Sequence, residues 1–350
     1  MKILIATIAS FLGLTTMMIS QTAQITLVKP NRTTYISTKF DSAYVHAANG
    51  DFIYLPGGYF TVANPINKSI HIFGAGYNQD SSSATGITTL DKLIIYHGAV
   101  NGSIQGLKIN NGNGCDFGSI KFGDVANSNP ISGYSISNCN IVGGLGFYAQ
   151  STNITIRNNL IGGHSCGSNW ISLSGGLSNS LISNNIITGH TAIGETPALF
   201  FSNNIFFYAN IYISPNLPYY STYENNIFQN GITWYVSYST FNNNTNGSFN
   251  GTDNLITNQL NEAWSLIFIA PGPPSGGYYY YDVHNNYHVK TDSGCHNSGT
   301  DGTDRGIYGG VFPWIEGSIP SNPHIYFKDI DQLTGPDGKL HIEVGVRTNN

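Results

Sequence analysis

The chain has 350 residues, of which 9% are charged, with a formal charge of −5 and 41 glycines. Soluble domains typically carry about 25% charged residues, so long surface helices rich in Glu and Lys are disfavoured. No run of Lys or Arg occurs, which argues against a nucleic-acid footprint.

In chain order, Lys2 and the apolar stretch at 3–14 read as a secretory signal spanning 1–20, with the cut falling between about Ser20 and Gln24. The stretch is short for a bilayer span of roughly 20 apolar residues. The mature chain is therefore expected to be secreted or at the cell surface, with no transmembrane span once the signal is removed. Residues 21–50 are expected to hold a strand and a capping helix. Phe40, Ala43, Tyr44 and Ala47 recur at helical spacing, and Asn49-Gly50 is a stop signal. Residues 51–58 and 69–76 each read as a strand closed by glycine turns.

A short pattern then repeats: an apolar residue, any residue, then Asn and usually a second Asn. It occurs as Ile136-Ser-Asn-Cys, Ile156-Arg-Asn-Asn, Ile182-Ser-Asn-Asn, Phe201-Ser-Asn-Asn, Tyr223-Glu-Asn-Asn and Val283-His-Asn-Asn. The first Asn falls at Asn138, Asn158, Asn184, Asn203, Asn225 and Asn285, with spacings of 20, 26, 19, 22 and 60. The last interval leaves room for about three further coils, and 253–256 looks like a degenerate copy within it. One rung per repeat would stack the apolar positions into one core, with Asn, which tolerates left-handed backbone, at the turn. Stacked Asn at one turn would also form an amide ladder. The expected fold is all-β: a right-handed parallel β-helix over 51–310, with a cap or tail at 311–350 carrying a strand near 340–346.

The run 43–58, followed by Ile70-His-Ile-Phe-Gly-Ala-Gly, resembles the opening of the pectate-lyase-like right-handed β-helix superfamily. Asp304-Arg-Gly-Ile-Tyr308 is similar to a closing motif of secreted bacterial β-helix repeat proteins. The resemblance covers roughly residues 38–310 and implies a fold more than a chemistry, because this superfamily includes lyases, glycosidases, esterases, adhesins and structural proteins.

Lyase chemistry would need an Arg or Lys base and clustered carboxylates. Arg157 and Glu224 occupy one column before the Asn, but three copies apart, about 14 Å at about 4.8 Å per rung. His164 sits in a Gly-His-Ser echo of a polygalacturonase motif without its acidic companions. Hydrolysis needs two carboxyls about 5 to 9.5 Å apart, and no acidic pair of that kind is written in the repeats. Aromatics make up 13% of the chain. Trp234, Tyr235, Tyr238, Tyr279 and Tyr281 are candidates for stacking on sugar, against ordinary cross-strand packing. Asp301 and Asp304 are candidates for a Ca²⁺ site, although their loop lacks the ligand density of a calcium loop. Cys115, Cys139, Cys166 and Cys295 allow three complete pairings, among which the sequence does not choose. The expected function is an exported, non-catalytic scaffold that is adhesive or contacts an extracellular polysaccharide or cell-surface glycan. The alternative is a polysaccharide lyase or glycoside hydrolase.

Overall fold

The computed structural model describes residues 23–348 apart from 111–117, 163–169, 173–175, 189, 194–197, 208–210, 214–219, 230–232, 236, 322 and 332. The side chains of 170–172, 190–193, 211–213 and 233–235 are also outside the description. The expected signal at 1–20, His164, Cys115 and Cys166 thus lie outside the described residues.

The described strands are short, because each apolar run is only one side chain deep before a turn residue follows. They stack into long parallel sheets, one of twelve strands, one of eight and one of six. The chain is a β-solenoid. In the long sheet, the strands from Phe52–Tyr54 to Leu255–Thr257 run parallel to one another. Ile53, Ile72, Ile104, Ile136, Ile156, Ile182, Phe201, Tyr223, Phe241 and Ile256 meet in register along it. All but the last are buried, each contributing about 1.5–3 kcal/mol of hydrophobic stabilisation. Ile256 ends the column and is 45% exposed. From Phe201 onward the column turns aromatic as a block. Phe201, Tyr223 and Phe241 stack with centroids 4.8 and 4.7 Å apart, and Phe206 lies on Phe228 at 4.8 Å. Changing several adjacent rungs together keeps the interior filled without a step in volume.

From Ser103–Gln105 onward, two columns of left-handed backbone bracket each strand of this sheet. One holds Gly106, Asn138, Asn158, Asn184, Asn203, Asn225, Asn243 and Asn258. The other, five residues earlier, holds Asn101, Gly133, Asn153, Asn179, Ala198, Tyr220, Tyr238 and Asp253. Gly and Asn dominate because a Cβ makes this conformation costly for other residues.

The amide ladder belongs to the second Asn of each pair, one position beyond the Asn column read from the sequence. Asn159 Nδ2 donates to Asn185 Oδ1 (3.1 Å), Asn185 to Asn204 (3.1 Å), Asn204 to Asn226 (2.9 Å) and Asn226 to Asn244 (3.0 Å). These side chains are fully buried. Each Oδ1 also accepts the backbone N–H of the Asn one rung before. The first Asn supplies the bend, and its amide turns outward.

Two expectations about the late repeats are corrected. A rung at 240–242 carries the pattern Phe241-Asn-Asn243-Asn244, and the next is Ile256-Thr-Asn258, so its turn falls five residues beyond Asp253 of the degenerate copy read at 253–256. Asn285 is in neither column. It donates to Pro271 O and Tyr287 Oη, beside an antiparallel pair of strands Phe268–Ala270 and Asn286–Val289, and Val283 is exposed. The physical reason is a second core. Leu160, Ile186, Ile205 and Ile227 form an apolar column on the outer face of the eight-stranded sheet. Trp264, Ile267, Phe268, Tyr287, Val289, Cys295, Ile307 and Trp314 pack with that face. Residues after 260 therefore leave the coil path to cover it.

The chain then returns along the Asn turn as a strap. Asn243 donates to Ser298 O (2.9 Å), Asn225 to Thr300 Oγ1 (3.1 Å), and Asn184 to Ile307 O and Gly309 O (2.9 and 2.7 Å). Further on, Phe312 covers Arg157, and Ser321 meets Gln105 (2.9 Å). The strap reads the outward amides in reverse order, from the last rungs back toward the first. At the N-terminal end, the helix Phe40–His46 buries Phe40, Ala43 and Tyr44 into the main core. The antiparallel strands Ile25–Val28 and Thr34–Ser37 extend the long sheet there. A terminal hairpin of His324–Ile330 and Ile342–Arg347 follows the strap.

Candidate functional site

Each three-residue strand of the long sheet points its middle side chain inward and its flanking two outward. One outer column runs Gln105, Ser137, Arg157, Ser183, Ser202, Glu224, Asn242 and Thr257. Arg157 and Glu224 therefore do share a column, with Ser183 and Ser202 between them. Arg157 is half-buried beneath the strap: its guanidinium carbon lies 4.6 Å from the centre of the Phe312 ring. Burial pushes its pKa down from the ordinary arginine value. Glu224 accepts from Asn242 Nδ2 at 3.4 Å. Neither residue is brought to a second catalytic group by any described contact.

The aromatic candidates separate by burial. Tyr279 and Tyr281 are packing residues of the second core. Tyr279 stacks on Trp264 at 5.8 Å, and Tyr281 on Tyr287 at 5.5 Å. Their neighbours Tyr278 and Tyr280 are the exposed members of the run. The alternation was legible in the sequence; which parity faced inward depended on the outer face of the eight-stranded sheet. Trp234 and Tyr235 fall in the strand Thr233–Tyr235, paired with Ser248–Asn250, their side chains lying outside the description.

Tyr238 is 42% exposed and lies 6.0 Å, centroid to centroid, from Tyr220, which is 63% exposed. Both have left-handed backbone, with φ of 56° and 44°, in a column otherwise held mostly by Asn, Gly and Asp. A bulky residue there costs of order 1–3 kcal/mol, and such strain clusters at functional sites.

A second aromatic group, missed from the sequence, lies on the outer face of the first rungs. Tyr54 stacks on Phe73 (5.3 Å), and Phe52 on His71 (5.0 Å) and Phe73 (6.3 Å). The alternation in Phe52-Ile-Tyr54 and His71-Ile-Phe73 was its available signal.

The Asp301 and Asp304 carboxylates serve the strap separately. Asp301 accepts from Thr303 Oγ1 (2.7 Å) within its own turn, whereas Asp304 accepts from Asn297 N (2.8 Å) and lies 2.8 Å from His296 Nδ1. Among the described residues no group of three or more His, Cys, Asp or Glu is arranged to hold a metal. Arg305, next to Asp304, is buried. It donates from Nη1 to Asn244 O (3.1 Å) and Asn258 O (3.3 Å), and from Nε to Ser298 Oγ (2.9 Å). Gly306, with φ of 85°, donates to Asn225 O. Tyr308 stacks on His288 at 3.7 Å and bonds to Glu316. The closing motif is thus the clamp that fixes the strap to the last rungs.

Cys139 and Cys295 are free, buried thiols. Burial raises both above the ordinary thiol range, Cys139 to about 12. Neither is poised as a nucleophile. Among the described residues no helix is long and apolar enough to cross a membrane.

Compared with known proteins, the chain matches no family model, and no curated protein matches it.

Proposed function

We propose that the chain is an exported right-handed parallel β-helix of the pectate-lyase-like kind, capped at its first coil by the helix Phe40–His46. It acts as a non-catalytic scaffold that contacts an extracellular polysaccharide or cell-surface glycan. The observation that carries this reading is the Tyr220–Tyr238 pair, two exposed rings on successive rungs held in a backbone conformation that favours Asn or Gly. Retaining costly aromatic residues at an exposed turn is easiest to understand if the rings meet a ligand. Sugar rings present flat C–H faces that suit such a platform. From Ser103 onward the outer columns of the long sheet are mostly Ser, Thr and Asn, and Arg157 lies under Phe312, which adds support for binding over turnover.

A second reading, a polysaccharide lyase or glycoside hydrolase, is favoured by one feature: Arg157 and Glu224 share an outer column. The discriminating experiment incubates the purified chain with polygalacturonate, alginate and neutral glycans, scoring product and binding separately. Binding without product is the expected result. Product from any of them would replace the scaffold reading with the enzyme reading.

A further inference from the structure

We propose that the cavity between the first rungs and the C-terminal hairpin binds a single neutral pyranose unit of a glycan, with Tyr54 and Phe73 as its aromatic wall. This rests on the glycan-contacting reading above and assigns it a specific site, at the opposite end of the solenoid from Tyr220 and Tyr238.

The cavity measures about 280 Å³, near the small end of the range of about 300–1,000 Å³ for small-molecule sites. That size suits one sugar unit better than a long oligomer. Its aromatic side is the stacked pair Tyr54 and Phe73. Thr26 pairs with Tyr54 on the next strand, so the ring ladder ends there on a short side chain and leaves room beside Tyr54. Polar groups come from Gln24, Thr26 and Thr85. His324 is 7% exposed, and its Nε2 accepts from Arg347 Nε at 3.1 Å, which ties this wall of the cavity to the second strand of the hairpin.

The chemistry of the lining selects the ligand. A pyranose has a C–H face that lies against an aromatic ring and hydroxyls that need scattered donors and acceptors. Flat rings beside hydroxyl and amide groups supply both. Among the described residues no Asp, Glu, Lys or Arg lines the cavity, so a uronate carboxylate would lose hydration there without compensation. An acyl chain would leave the polar groups unpaired. The wall at Pro323 and Ile325 is supplied by the chain that follows the strap. The cavity therefore exists only once the C-terminal segment has returned to the first rungs.

The test uses the intact chain and neutral gluco-, xylo- and galacto-oligosaccharides, with oligogalacturonate as the charged comparison, read by titration calorimetry. Tyr54→Ala removes half of the aromatic wall and Thr85→Trp fills the cavity; Phe73→Leu replaces either variant if it fails to fold by circular dichroism. Each is expected to weaken binding of the best neutral oligosaccharide about tenfold or more, equivalent to about 1.4 kcal/mol. Undiminished binding in both folded variants overturns this site while the glycan-contacting reading stands. Preference for the uronate also overturns the site alone. No binding of any glycan by the unaltered chain overturns both.

Discussion

Phe312 lies across Arg157, its ring centre 4.6 Å from the guanidinium carbon, and so joins the C-terminal strap to the outer face of the long sheet. The contact covers the cation that chemistry on an acidic sugar would most need. A cation–π contact is worth about 0.5–1 kcal/mol when exposed and about 2 when desolvated. Phe312→Ala is therefore expected to lower stability by about 1 kcal/mol in urea denaturation. It is also expected to leave polygalacturonate uncleaved. Newly gained cleavage in this variant would identify the strap as a cover over an active site and refute the scaffold assignment.

The ladder predicts a hierarchy among neighbouring asparagines. Asn204 accepts from two groups of Asn185 and donates to Asn226 Oδ1 and Ile182 O. Asn204→Ala strands buried partners and is expected to cost about 3 kcal/mol or more. Asn203→Gly keeps the left-handed turn and loses a 3.4 Å bond to Asp304 O and the amide's packing on Gly309 and Gly310, so it should cost about 1 kcal/mol. Equal losses in the two variants, measured by urea denaturation, would contradict this division of labour.

Arg305 ties the strap to the carbonyls of the last rungs. Arg305→Ala removes the donors to Asn244 O, Asn258 O and Ser298 Oγ, each of a kind worth about 1.5–3 kcal/mol where the donor is charged. The strap is expected to release locally before the solenoid melts, opening new cleavage sites within about 298–321 in limited proteolysis. A cleavage pattern identical to that of the unaltered chain would show that the clamp is dispensable.

Tyr238→Asn should relieve strain, raising stability by about 1 kcal/mol, while weakening glycan binding. The two readouts, thermal melting and calorimetry, must move in opposite directions if the ring is retained for a ligand. A destabilised variant with unchanged binding would make Tyr238 a packing residue.

The buried Cys139 thiol predicts a loss of stability in alkali. Its ordinary value is 9.0 and burial raises it to about 12. Between these values the unfolded chain has lost the proton that the native chain keeps, so unfolding gains as pH rises. Stability should begin to fall above about pH 9, and Cys139→Ala or Cys139→Val should flatten that slope in urea titrations. Buried Tyr134, with its hydroxyl likewise raised by desolvation, contributes in the same direction. An unchanged slope in the variants would assign the pH dependence to other groups.

Much of the solenoid was legible because its information is local and periodic. An apolar residue two before Asn fixes which side chain points inward, and Asn permits the bend. Those two facts place Ile136, Ile156, Ile182, Phe201 and Tyr223 in one column without knowledge of any distant contact. The same pattern at Phe241 was present in the letters and was obscured by a run of asparagines. The late match at Val283 shows the limit of the signal. Four residues of the right type satisfy a pattern, but only stacking on a preceding rung makes them a coil, and the outer face of the eight-stranded sheet draws that segment elsewhere.

The sequence by itself determined a β-solenoid with an apolar interior and Asn turns, since short-range backbone preference and alternation suffice for that. Tertiary structure decided that the second Asn, not the first, forms the ladder, because αL geometry turns the first amide outward and the second inward. It also decided that the first amides bind a strap, that Tyr279 and Tyr281 pack rather than project, and that Arg157 lies under Phe312. The strap contacts and the cover on Arg157 depend on residues 55 to 155 positions away arriving at the same surface, and no local pattern encodes the free energy of that meeting.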